Sequence, residues 1–148
     1  MIQNRQFSVS INAPKEKVWN VLWNDATYRQ WTSAFQEGSY AVTDWKEGSK
    51  VHFLSGDGNG MYSVIARNIP NEFMSVQHIG EIKNGEEQPV SEASESWSGM
   101  HENYTLKQED NQTKLTVDFE VADEHYDFFK EVFPKALAKV KELSEATV

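Results

Sequence analysis

The sequence predicts an α+β fold: a curved antiparallel sheet packed against one long C-terminal helix, with two short helices after the first strand. Three observations lead there. After a first strand, strand-like alternation recurs from about residue 39 to residue 121. Helical spacing is confined to the regions on either side of that block. The last helical stripe is long enough to span such a sheet.

Gln6-Phe7-Ser8-Val9-Ser10-Ile11 alternates apolar and polar residues, which describes a half-buried strand. Ala13-Pro14 opens a helix, with Pro14 suited to its first position. Val18, Val21 and Leu22 share one face of it, with Trp19 on the flank. Asp25 reads as the cap of a second short helix, on which Tyr28 and Trp31 share a face.

Val51 and Phe53 then alternate with polar neighbours, and Ser55-Gly56-Asp57-Gly58-Asn59-Gly60 signals a hairpin. Strands follow at Gly60–Arg67 and Phe73–Ile82, with a turn at Ile69-Pro70-Asn71-Glu72 and a stop at Asn84-Gly85. Residues 83–99 form a polar, Glu- and Ser-rich loop, either a cover over a site or a solvated surface. Glu102, Tyr104 and Leu106 share a face of the next strand. Leu115, Val117, Phe119 and Val121 share a face of the last, across a turn at Asp110-Asn111-Gln112. Tyr126, Phe129, Phe133, Ala136, Leu137, Val140 and Leu143 then recur at spacings of three and four, in a helix capped by Asp123. Pro134 lies inside it and predicts a kink, because proline cannot donate to the carbonyl of Lys130. No repeat and no linker interrupts the 148 residues, so one domain over 1–148 is expected.

Composition narrows the function. The formal net charge is −9, and residues 81–110 hold eight acidic and two basic residues. An acidic surface repels phosphate backbones and anionic lipid, so neither nucleic acid nor a membrane is an expected partner. Cysteine is absent, which excludes disulfides, thiol catalysis and thiolate metal sites and agrees with a cytoplasmic location. No signal peptide is visible, and no apolar run reaches the roughly 20 residues of a membrane helix. Five Trp, five Tyr and eight Phe make up 12% of the chain. Rings in that number either fill a core or line a pocket for an apolar ligand.

Several segments resemble one superfamily. INAPKEKVWNVLWNDATYRQWT at 11–32, DWKEGSKVHFL at 44–54, MSVQHIGEI at 74–82, WSGMHENYTL at 97–106 and FPKALAKVKEL at 133–143 are similar to the START-like, or SRPBCC, superfamily. Within it, the chain resembles the bacterial branch related to the activator of a heat-shock-protein ATPase. Ala-Pro-x-x-x-Val-Trp followed by x-x-x-Trp is its most specific element, and none of these motifs is a catalytic signature. The resemblance implies a helix-grip fold, a curved seven-stranded antiparallel sheet around the C-terminal helix, in which many members hold a ligand. Members include lipid carriers, hormone receptors, polyketide cyclases and co-chaperone domains, so fold alone does not settle the activity.

Alternation proposes an inward face. Met74, Val76 and His78 share a side of one strand, and Glu102 and Tyr104 a side of another. Phe129 and Phe133 come from the long helix, and Phe53 from an early strand. Trp31, Phe35 and Trp45 come from the region that often forms the cavity mouth in this superfamily, and Trp97 from the candidate lid. These are the expected ligand-binding residues; the same periodicity also describes ordinary core packing. His78, Glu102 and Tyr104 are the candidate catalytic residues, because a carboxylate in an apolar cavity has a raised pKa and acts as an acid or base. The alternative reading, and the more usual one for such groups, is a structural polar network or a solvent-facing rim. Metal-ligand spacing is missing: His78 and Glu81 face opposite sides, His101 and Glu102 diverge, and His52 and His125 stand apart. The glycine-rich hairpin lacks the Lys-Ser/Thr ending of a phosphate loop. No cofactor and no metal are expected.

The expected function is binding of a small, mostly apolar molecule, lipid-, polyketide- or aromatic-like, with the balance against an enzyme. The alternatives are a cyclase-like enzyme with an acid–base group in the cavity, or a co-chaperone-like domain with a protein partner. A monomer or weak homodimer is expected.

Overall fold

A computed structural model describes residues 2–95 and 97–146. The elements in chain order are β1 (Ile2–Ile11), α1 (Lys15–Trp23), α2 (Asp25–Thr32), β2 (Tyr40–Val42), β3 (Lys50–Leu54), β4 (Gly60–Ile69), β5 (Phe73–Lys83), β6 (Glu86–Glu87), α3 (Glu92–Glu95), β7 (His101–Glu109), β8 (Gln112–Ala122) and α4 (Asp123–Glu145). Seven strands form one antiparallel path, β1-β8-β7-β5-β4-β3-β2, and β6 adds two residues to β5. α1, α2 and α4 pack together on one face of this sheet, giving the helix-grip arrangement.

Local chemistry explains most boundaries. Pro14 precedes the first helical residue as the cap of α1, where its missing N–H leaves nothing unsatisfied. Asn24, rather than Asp25, caps α2: its side-chain oxygen accepts from the Ala26 N–H at 3.1 Å. α4 starts at Asp123 from an Ala122 cap with no side-chain bond, so Asp123 serves as a first-turn acid instead. The helix continues through Pro134 to Glu145, and Pro134 lies on its solvent side. Residues 83–99 are not an irregular loop: β6 and the single turn of α3 lie within them, and Gln88 donates its N–H to the Glu81 carbonyl at 2.8 Å. Ser96, part of that segment, lies outside the described residues.

Curvature comes from irregular pairing. The β4–β5 register shifts between Tyr62 and Ser63 and again between Ile65 and Arg67. Such bulges bend a sheet and increase its twist. Gly60 begins β4 where a Cβ would sit 1.8 Å from the Phe53 carbonyl oxygen, so only glycine fits that hairpin base.

The core lies on the concave face. Val18, Val21 and Leu22 of α1 meet Phe133, Ala136, Leu137 and Val140 of α4 and the inward residues of β7 and β8. Each fully buried large side chain contributes about 1.5–3 kcal/mol. Trp31 ties the two short helices together, its indole N–H donating to the Leu22 carbonyl at 3.1 Å. Among the described residues no helix is long and apolar enough to cross a membrane.

Candidate functional site

A cavity of about 620 Å³ remains between the sheet and the helices. Bulky rings hold the layers apart on several sides. Phe133 of α4 stacks on Phe119 of β8 at 4.9 Å, and Phe35 meets Phe133 edge-on at 4.9 Å. Tyr28 and Trp31 of α2, which also line the space, pack edge-to-face at 5.4 Å. Offset and edge-on contacts of this kind suit aromatic quadrupoles.

One wall carries a continuous polar chain. Ser63 Oγ lies 2.8 Å from His78 Nδ1, and His78 Nε2 lies 3.3 Å from Glu102 Oε1. The Tyr104 hydroxyl donates to Glu102 Oε2. β4, β5 and β7 are neighbours in the sheet, and the pairing sets Ser63 opposite His78 and Val76 opposite Glu102. The backbone also fixes His78: its N–H donates to the Met100 carbonyl at 2.9 Å, and its carbonyl accepts from Gly99 at 2.7 Å. Ser63 is fully buried and does not line the cavity, so it orients the imidazole and cannot attack a ligand. The Glu102 side chain stays 28% exposed, and His78 16%, at positions that line the cavity.

Electrostatics follows from this geometry. Burial alone would push the Glu102 carboxyl up. The hydrogen bond and charge of His78, with the Tyr104 hydroxyl, together outweigh burial and hold it below its ordinary value. The site therefore presents a carboxylate, and the raised pKa expected of an isolated acid does not arise. Burial, then the Glu102 charge and its hydrogen bond, pushes the Tyr104 phenol well up. Tyr28 moves the same way, through burial first and Glu102 second. Both tyrosines remain protonated donors.

Of the residues singled out in the sequence, Trp31, Phe35, Phe53, Val76, His78, Trp97, Glu102, Tyr104, Phe129 and Phe133 line this cavity. Met74 and Trp45 do not. Met74 is fully buried in the packed core. Trp45 forms a second ring layer, 4.8 Å from Trp23 and 5.7 Å from Tyr28. Trp23, Tyr28, Met100, Phe119 and Val121 also line the space. Helical spacing had put Tyr28 on one face with Trp31 without revealing that this face meets a void. Toward the mouth stand Gln36, Asp57, Asn59 and Phe128, the last 51% exposed. Among the described residues no group of three His, Asp or Glu side chains is placed to hold a metal ion.

This fold and cavity fit a ligand-binding domain. Solved structures share the architecture. A protein from Mesorhizobium loti, MLL2253, superposes with a TM-score of 0.73 at 16% identity, over 97% of this chain and 99% of its own. DynU16, from the dynemicin biosynthetic locus, gives 0.72 at 15% identity over 97% of this chain, which spans only 47% of that protein. The Aha1 dimer from Colwellia psychrerythraea gives 0.67 at 20% identity over 99% of both chains. Likeness at such identities establishes the fold. No curated protein matches the sequence. The family described as "Activator of Hsp90 ATPase homolog 1-like protein" matches residues 12–145, nearly the whole chain. The chain thus belongs to the Activator of Hsp90 ATPase homolog 1-like family, within the START-like superfamily.

Proposed function

We propose that this protein binds one small, mostly apolar molecule, lipid-, polyketide- or aromatic-like, in the cavity between the sheet and α4. The cavity itself carries the reading: about 620 Å³ walled by rings, with a compact polar chain on one side. Small-molecule sites fall in this range and combine apolar walls with a few placed polar groups. A filled core would have closed the space, since interiors pack to crystal-like density.

Native mass spectrometry of the purified protein tests for a retained ligand, and fluorescence titration with N-phenyl-1-naphthylamine tests the empty cavity. Saturable one-to-one binding is expected, with chemical shifts clustered on Trp31, His78, Tyr104 and Phe129. Val76 is buried on the sheet wall, so Val76→Trp fills the space and is expected to weaken binding about ten-fold or more. Unchanged affinity in a Val76→Trp protein that retains its thermal transition overturns the reading.

The polar chain favours one second reading, an enzyme resembling the polyketide cyclases. Glu102 is ionised and touches the cavity, so it is the base, with His78 completing the relay. Glu102→Gln then abolishes conversion of a bound molecule, followed by mass, while binding survives. Conversion that persists in Glu102→Gln rules this role out.

A further inference from the structure

The binding reading leaves open which polar group the bound molecule carries, and the inference below rests on that reading. Charge excludes one class. Among the described residues the cavity is lined by Asp57, Glu102 and Glu120 and by three histidines, with neither lysine nor arginine. A carboxylate or phosphate headgroup finds no permanent cation there. It also approaches against the field of a chain with net charge −9.

Two wall groups have unused hydrogen-bonding capacity. Each oxygen of Glu102 takes one bond from the protein, from His78 and from Tyr104, and each has a second lone pair. The Tyr28 hydroxyl has no partner among the described residues, although Tyr28 is only 7% exposed and lines the cavity. Shared neighbours hold the two groups on one stretch of wall. Phe53 lies 6.5 Å from the Tyr28 ring and 6.2 Å from His78; Trp31 lies 5.4 Å from Tyr28 and 6.1 Å from Tyr104. Burial, reinforced by the Glu102 charge, keeps the Tyr28 phenol protonated and so a donor.

A group that fits must accept from one side and donate to the other. A carboxylate only accepts, and is repelled. An ammonium only donates, and leaves Tyr28 unpaired. A bare hydrocarbon leaves both wall groups without partners, which costs binding energy. An uncharged hydroxyl does both. We infer that the cavity recognises the hydroxyl, alcoholic or phenolic, of an otherwise apolar molecule, with Tyr28 as donor and Glu102 as acceptor.

The test displaces bound N-phenyl-1-naphthylamine from the full chain at neutral pH with matched probes: biphenyl, 4-phenylphenol, 4-phenylbenzylamine and biphenyl-4-carboxylate. 4-Phenylphenol is expected to displace at a concentration lower by about ten-fold or more than any of the others. Tyr28→Phe removes the donor and shrinks its advantage over biphenyl. Glu102→Gln removes the charge and narrows the gap to the carboxylate. The thermal transition of each variant confirms that it folds. Biphenyl or the carboxylate matching the phenol in the wild type overturns this inference while leaving cavity binding intact. An undiminished advantage over biphenyl in Tyr28→Phe, together with an unnarrowed gap to the carboxylate in Glu102→Gln, does the same. Failure of every probe, the naphthylamine included, overturns the binding reading and this one with it.

Discussion

Glu102 is an ionised acid on an otherwise apolar wall, held there by His78 and Tyr104 against the effect of burial. Its folded pKa is depressed, so its stabilising contribution is fully present above the ordinary carboxylate value. That contribution is lost as pH falls through the folded value. Between about pH 6 and pH 3 the wild type is expected to lose thermal stability more steeply than Glu102→Gln. The exposed, hydrogen-bonded carboxylates Asp44, Asp57, Glu87 and Glu145 shift in the same direction, but both proteins share them. Parallel acid limbs in the two proteins would disprove the coupling. His78, Glu102 and Tyr104 were legible in the sequence because two-residue alternation on adjacent strands puts them on one face. The sign of the Glu102 shift was not legible. It depends on a partner 24 positions away, across the sheet, whose ring reaches the carboxylate.

At the scale of elements, spacing identified the helices, while the void beside them stayed hidden. Val18, Val21 and Leu22 read as core and are core. Tyr28 showed the same periodicity yet borders open space, because a helical stripe records only which way a residue faces. Met74 read as cavity wall and is packed solid, through the complementary ambiguity on a strand. Pro134 gives the clearest prediction at this scale. It lies on the solvent side of α4, where its missing N–H leaves the Lys130 carbonyl without its helical bond. Pro134→Ala restores that bond and improves helix propensity, so stability is expected to rise by about 1–3 kcal/mol. Urea titration measures this directly, and a lower midpoint would show that the proline shapes the packing beneath it. The short strand and helical turn within residues 83–99 were invisible to periodicity. Their two and four residues are shorter than any period that could announce them.

Over the whole molecule the charge is −9, and no arginine or lysine reaches the cavity among the described residues. Screening should therefore relieve self-repulsion: raising sodium chloride from about 10 mM to about 300 mM is expected to raise the melting temperature by a few degrees. A fall on adding salt would mean that surface ion pairs outweigh the net repulsion. The first strand joins the sheet last in sequence terms. Among the described residues β1 pairs only with β8, bringing Ile11 opposite Thr113 and Gln3 opposite Val121. The Lys141 ammonium donates to the Ser10 carbonyl at 2.9 Å, and Asn12 donates its N–H to Glu145 at 2.7 Å, so α4 clasps the same strand. During synthesis β1 leaves the ribosome long before β8, and it has no native partner until β8 has followed it. Closure of that edge is thus a late event in the life of the nascent chain, and loop-closure entropy makes it slow. Chaperone capture of an unpaired β1 would compete with it in the interval.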